Sequence, residues 1–227
     1  VDERQLNLAF LLDLSASMDA GFGAWSPRQM AARVCACLML AAVQHDDRVA
    51  FLGYDQEVQR FEPPRKGLSH VLRIVRDFLS LQAQSKHSNP AVALNLAARA
   101  LPKHSAVFIV SDFLGDGWQP ALQECARHHE VIAIRLLAPE LKNPPAGMWR
   151  LGDAEGLGRR IVDGSDPKVV ARYAQRVAEW DEEVRQMLRR AGVARLDVRI
   201  PVTADADAVA RPILRFFQRR AAGAPRA

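Results

Sequence analysis

The sequence predicts an α/β protein: an open, mostly parallel twisted sheet with helices on both faces and one short antiparallel edge strand. Three observations lead there. Apolar runs of strand length alternate with stretches of helical periodicity along the 227 residues. The runs are continuous, as strands buried on both faces require. Acidic and hydroxyl residues stand just past two of them, where open α/β sheets place their ligands.

The elements follow in order. The run LNLAFLL, from Leu6 to Leu12, reads as the first strand. A helix over 27–44 carries Met30, Val34, Leu38 and Ala41 on one stripe. Residues 47–54 (DRVAFLGY) read as strand two, and 57–61 as a short strand after a turn at Asp55-Gln56. An amphipathic helix over 68–81 leads into a polar loop, 84–89, and then into a helix opened by Pro90. Strand 105–111, helix 118–128 and strand 131–137 continue the alternation. Prolines and glycines mark 138–165 as a loop with a small hairpin, 148–151 against 159–162, turning across Gly156-Leu157-Gly158. Asp166-Pro167 opens a long helix to about Ala191, with Val169, Tyr173, Val177, Trp180, Val184 and Leu188 on its stripe and Gly192 as its stop. Strand 195–200 and helix 205–219 complete a single domain over 1–220, and 221–227 reads as a disordered tail.

Composition excludes several classes. With 49% hydrophobic and 25% charged residues the chain is ordinary for a globular protein, and it has no apolar run long enough to cross a membrane. The net charge of +5 and the pairs Arg159-Arg160, Arg189-Arg190 and Arg219-Arg220 could mark a phosphate-binding stripe. Glutamates alternate with the arginines on the long helix, however, and no aromatic-basic interleaving suggests base stacking. A solvated face is the better reading, so nucleic acid is not expected as a partner. Cys35, Cys37 and Cys125 lack ligand spacing and read as free thiols in a reducing, cytoplasmic setting. His128-His129, at a helix end, reads as serving the helix dipole or the surface.

The chemistry concentrates at the strand ends. Asp13, Ser15 and Ser17 follow strand one at every second position. If the chain stays extended, positions i, i+2 and i+4 point to one side, and the three oxygens converge. One carboxylate and two hydroxyls form a hard oxygen set suited to Mg²⁺ or Mn²⁺. The same residues are also ordinary turn and cap residues. Further oxygens tip the balance: Asp112 stands at the end of strand 105–111, and Ser88 precedes the helix at Pro90, where it could cap that helix or point to the site.

Asp13-x-Ser15-x-Ser17, then a hydroxyl before a helix, then Asp112 after an apolar strand, resembles the metal-ion-dependent adhesion site of von Willebrand factor A domains. The chain is more similar still to the bacterial "domain of unknown function 58" branch of that fold. LLDLSASM with Phe22-Gly23, HDDRV at 45–49, VFIVSDFL at 107–114, RHHEVI at 127–132, Val162-Asp163 and Leu214-Arg215-Phe216-Phe217 carry the likeness. Ser88 stands where that family usually has Thr, which keeps the oxygen without the methyl that stiffens χ1. Ala138-Pro139 replaces a frequent Asp-Pro pair. The chain starts almost at its first strand and lacks an initiator Met, so it reads as a fragment or a processed chain.

The resemblance implies a non-catalytic protein-interaction domain. Ser15, Ser17 and Ser88 would touch a Mg²⁺ or Mn²⁺, with Asp13 and Asp112 behind them acting through water and hydrogen bonds. A partner's Asp or Glu carboxylate would complete the coordination. Asp19, Phe22, Phe113 and Asp116 are candidates for the rim. Members of this branch are often encoded beside MoxR-type AAA+ ATPases, which makes such an ATPase an expected partner in maturing a protein complex. The competing class is a haloacid-dehalogenase-type phosphotransferase with Asp13 as nucleophile. That chemistry needs a second acid two residues on, where this chain has Ser15.

Overall fold

The computed structural model describes residues 5–142, 144, 146–152, 159–205 and 207–222. Strands β1 (Asn7–Asp13), β2 (Arg48–Tyr54), β3 (Val58–Arg65), β4 (Ala106–Ser111), β5 (Glu130–Leu137) and β8 (Ala194–Arg199) form one sheet in the order β3-β2-β1-β4-β5-β8. Every neighbouring pair is parallel except β2 with β3. A separate antiparallel pair, β6 (Met148–Gly152) and β7 (Arg159–Asp163), forms the expected hairpin. The glycine turn assigned to its tip lies outside the described residues.

Among the described residues six α-helices flank the sheet: α1 (Pro27–Gln44), α2 (Leu68–Ser80), α3 (Pro90–Ala100), α4 (Gln119–His128), α5 (Pro167–Arg190) and α6 (Asp207–Ala221). Alternate residues of each central strand supply two separate cores. Phe10, Leu12, Phe51, Phe108 and Val110 pack under α1, α2 and α6. Ala9, Leu11, Leu52, Val107 and Ile109 pack under α3, α4 and α5. The continuous apolar runs are thus explained by burial on both faces, each large side chain stabilising by about 1.5–3 kcal/mol. Phe10 and Phe108, neighbours in register, stack with centroids 4.9 Å apart.

Local signals set the helix starts. Ser26 caps α1 and Gln29 returns the bond to the Ser26 backbone, with Pro27 in the first turn. The Asp166 carboxylate accepts from Lys168 N at 2.8 Å to start α5, and Gly192, at φ 66°, lies just past its end. Two boundaries differ from the sequence reading. Strand β3 runs on through Pro63 and Pro64 to Arg65, because an edge strand tolerates residues without an N–H. Helix α6 begins at Asp207 and reaches Ala221, one residue into the stretch expected as a tail, and 223–227 lie outside the described residues.

The order of strands places a switch point between β1 and β4. The chain leaves β1 by α1 toward β2 on one side, while β4 lies on the other, so a crevice opens at their carboxyl ends. The loop that closes this crevice from the β2 side is held by one carboxylate. Asp55 is fully buried. Its Oδ1 accepts from Glu57 N (3.2 Å) and Gln59 Nε2 (2.8 Å), and its Oδ2 from Gln84 N and Ser85 N, both at 2.9 Å. Its carbonyl accepts from Asn89 N at 2.8 Å. Loop 82–89 is therefore fastened at both ends.

Burial alone would push the Asp55 carboxyl up, but the N–H donors outweigh it and hold it below the usual carboxylate range. A group lowered on folding stabilises fully above its unfolded value of about 3.9 and loses that contribution as pH falls through its lower folded value. Asp55→Asn turns an N–H₂ toward N–H donors and is expected to destabilise by about 2–3 kcal/mol at neutral pH. In urea titrations the gap from wild type should narrow steadily in acid below about pH 4. A gap that stayed constant with pH would exclude this role for the carboxylate.

Candidate functional site

Asp13 ends β1 in register with Tyr54 of β2, and Leu12 lies beside Val110 of β4. It shares its face of the sheet with Ala9 and Leu11, the face that α3 covers, so the loop leading into α3 arrives directly over it. Asp13 is fully buried. Its Oδ1 accepts from Ser15 N at 2.9 Å. Its Oδ2 accepts two hydroxyls, Ser88 Oγ at 2.6 Å and Ser111 Oγ at 2.7 Å. Ser88 therefore points to the site; its hydroxyl faces Asp13.

Ser15 and Ser17 do converge, with their Oγ atoms 3.1 Å apart. The physical reason differs from the extended-chain expectation. The strand stops at Asp13, and residues 16–19 form a 3₁₀ turn that brings Ser17 back toward Ser15. The Asp13 carboxylate starts this turn by taking the Ser15 amide.

Asp112 follows β4 and is also buried. Burial, and then the charge of Asp13, push its carboxyl up to about 6, against the opposing hydrogen bonds from Ser17 and the Leu114 amide. Among the described residues no Lys, Arg or His makes an ion pair with either acid. Two buried carboxylates near one another with no cation beside them are costly, and a bound cation relieves that cost.

The hydrogens explain how the hydroxyls are aimed. A serine has one O–H to donate and two lone pairs. Ser88 and Ser111 spend their hydrogens on Asp13 Oδ2, which turns their lone pairs away from it. Among the described residues no group of three His, Cys, Asp or Glu side chains could hold a metal. The donors gathered here are two carboxylates and four hydroxyls, a hard oxygen set that fits Mg²⁺ or Mn²⁺ and suits softer ions less well.

The rim candidates separate. Asp19 is held by Arg28, with Nε to Oδ1 at 2.5 Å and Nη2 to Oδ2 at 2.8 Å. Arg28 is buried and also donates to the carbonyls of Leu14 (2.9 Å) and Leu81 (3.1 Å), so it ties the 3₁₀ turn to the end of α2. Phe22 is largely exposed, and Asp116 is exposed on the loop before α4. Phe113 is buried edge-on to Trp118, at φ 58°. That left-handed conformation is strained for a bulky residue, and it is held by the Phe113 amide donating to Ser111 Oγ at 3.0 Å.

Four residues at the site carried no assignment in the sequence. Ser111 was visible as the neighbour of Asp112, and parallel register between β1 and β4 would have placed it opposite Asp13. Asp55 and Arg28 fasten the loops that carry Ser88 and Ser17. Tyr54 is fully buried beside the site, and burial, then Asp13, push its hydroxyl well up, so it stays neutral. Glycine matters at one further point: a Cβ on Gly115 would lie 3.0 Å from the Ser88 carbonyl, so the β4–α4 loop rests directly on the Ser88 loop.

The residues set aside as structural fall into place. Arg185 pairs with Asp181 at 2.7 Å and Arg189 with Glu182 at 2.9 Å along α5. His128 meets Glu124 at the surface, whereas His129 is buried, and burial pushes its imidazole down. All three cysteines are free; burial pushes the Cys35 and Cys125 thiols up, which keeps them unreactive. Among the described residues no helix is long and apolar enough to cross a membrane.

Comparison with known proteins agrees with this architecture. The uncharacterized protein Rv1480 of Mycobacterium tuberculosis is 29% identical over 229 residues, covering 99% of this chain and 70% of that protein. MAV169 of Mycobacterium avium, also uncharacterized, is 33% identical over 137 residues, 59% of this chain and 77% of its own. The crystal structure of BatB from Bacteroides thetaiotaomicron superposes with a TM-score of 0.57 at 16% identity, over 94% of this chain and 99% of that one. An aerotolerance-related membrane protein from Bacteroides fragilis gives a TM-score of 0.57 at 16% identity, over 92% and 96%. At that identity the likeness is one of fold. The family model described as "Protein of unknown function DUF58" matches residues 1–183, and the chain belongs to that family, with a von Willebrand factor A-like fold.

Proposed function

We propose that this domain binds a divalent cation, Mg²⁺ or Mn²⁺, and through it a carboxylate of a protein partner, without catalysing a reaction. The observation that carries the reading is the Asp13 carboxylate, buried and taking the hydrogens of two serines, one from the loop before α3 and one from the end of β4. Ser15, Ser17 and Ser88 would hold the ion through their hydroxyl oxygens, with Asp13 and Asp112 behind them. The bound ion would supply an electrophilic point beside two buried carboxylates. Its first shell would be largely neutral oxygen, so charge would remain for an incoming Asp or Glu. Without the ion, Asp13 and Asp112 repel that same carboxylate, which makes the interaction depend on the metal.

A phosphotransferase reading lacks its proton donor. The residue two after Asp13 is Ser15, whose hydroxyl contacts Ser17 and cannot serve as a carboxylic acid. The family resemblance extends the proposal to a MoxR-type AAA+ ATPase as partner. The three free thiols support a cytoplasmic setting for the domain.

Calorimetric titration of Mg²⁺ and Mn²⁺ into metal-stripped protein should show saturable binding, abolished in Asp13→Ala and in Asp112→Ala while circular dichroism stays native. Unchanged affinity in Asp13→Ala would falsify the site. Ser111→Ala leaves all three hydroxyls proposed to touch the ion in place, and it is expected to weaken the metal by about 10–100-fold, as loss of a supporting hydrogen bond does. Gly115→Ala pushes on the Ser88 carbonyl and should weaken the metal with the fold retained; an unchanged affinity would show that the Ser88 loop takes no part. Hydrolysis of an aryl phosphate should remain at background with either metal.

A further inference from the structure

A cavity of about 230 Å³ opens beside the candidate metal site and shares walls with it. Ser17 and Asp112 line both. The remaining walls are mainly apolar: Leu114, Leu136, Ala138, Leu141 and the rings of Tyr173 and Trp180. Helix α5 contributes the two rings and is fixed in place over the site. Trp180 Nε1 donates to the Phe113 carbonyl at 3.3 Å, and the Trp180 ring lies under the Arg135 guanidinium, 5.3 Å from its centroid. Arg135, fully buried, is tied to Asp181 at 2.6 Å on the same helix. The aromatic wall is thus built rather than loose.

The size and lining select an occupant. Drug-sized ligands need about 300–1,000 Å³, so this cavity suits one side chain. Glu140 stands on the wall and takes the Phe22 amide at 3.5 Å, and Asp112 forms the end nearest the metal site. Both disfavour an acid or an unpaired polar group inside. Because the cavity is continuous with the site, a segment whose carboxylate reaches the metal carries its neighbouring residue to the mouth.

We infer that this cavity is the specificity pocket of the interaction, receiving a Leu-, Met- or Phe-sized side chain that stands next to the metal-binding Asp or Glu of the partner. This rests on the metal-bridge reading above and sharpens it: the metal selects the acid, and the cavity selects its neighbour. Burial of one such side chain raises affinity by about tenfold or more.

The test uses blocked synthetic peptides in a Gly/Ser background that differ only beside a single glutamate: Leu-Glu, Ser-Glu and Gly-Glu. Binding to the Mg²⁺-loaded chain is followed by NMR at the Trp180 indole N–H, assigned with Trp180→Phe. The Leu-Glu peptide is expected to shift this resonance and to bind at least about tenfold more tightly than the other two. Ala138→Phe, which fills the cavity, should erase the difference while calorimetric Mg²⁺ affinity stays unchanged. Equal affinities for the three peptides, with Mg²⁺ bound, overturn the pocket and leave the metal site standing. Failure to bind Mg²⁺ overturns the metal reading itself. A concentration-dependent indole shift without peptide assigns the cavity to a second copy of the chain and overturns the proposal.

Discussion

The site depends on one buried carboxylate. Among the described residues Asp13 has no salt-bridge partner, yet it sits at zero exposure at the end of a central strand. A carboxylate in that position is tolerable only because neutral donors surround it: one amide and two hydroxyls. Each donor comes from a different segment of the chain. Ser15 belongs to the turn after β1, Ser88 to the loop before α3, and Ser111 to the end of β4. A single residue thus pulls three segments to one point and orients the oxygens that face outward from it.

Those segments are in turn fastened by further ties, two of them from groups that never reach the point itself. Arg28 holds the 3₁₀ turn through Asp19 and Leu14, Asp55 holds the Ser88 loop, and Ser111 holds the left-handed Phe113. The ties lie on both sides of the sheet, since Arg28 belongs to α1 while Phe113 packs with α3, α4 and α5. Ordering loops in advance removes the entropic cost that a flexible oxygen cluster would meet on taking up an ion or a partner. The strain at Phe113 fits the same pattern, since unfavourable backbone persists where the surrounding structure fixes it.

Most of the fold was legible because its signals are local or periodic. The two-faced strands read as unbroken apolar runs, and Ser26-Pro27 and Asp166-Pro167 announced helices at their first residues. Strand β3 was read too short because Pro63 and Pro64 argue against a strand in general, and only its place at the sheet edge permits them. Asp13, Ser15, Ser17, Ser88 and Asp112 were legible as an oxygen set; the geometry that gathers Ser15 and Ser17 was not. An alternating pattern suggests extension, but a carboxylate that captures the amide two residues on converts the chain to a turn. The roles of Ser111 and Asp55 went unread for a different reason. Their roles are set by register between strands and by a contact across 29 residues, and neither leaves a mark in local sequence.

The arrangement also explains why serines can serve where more carboxylates might be expected. Each added acid at this depth would raise the repulsion that already pushes Asp112 upward. Hydroxyls add oxygen without adding charge, and they take their direction from the acceptor that receives their hydrogens. With Asp13 as that acceptor, the outward face of the cluster is neutral oxygen backed by negative charge. Such a face would hold a hard divalent ion without cancelling it fully. The uncancelled remainder would make the ion attractive to a further carboxylate, so the same balance that lets Asp13 stay buried would also leave the site incomplete without a partner.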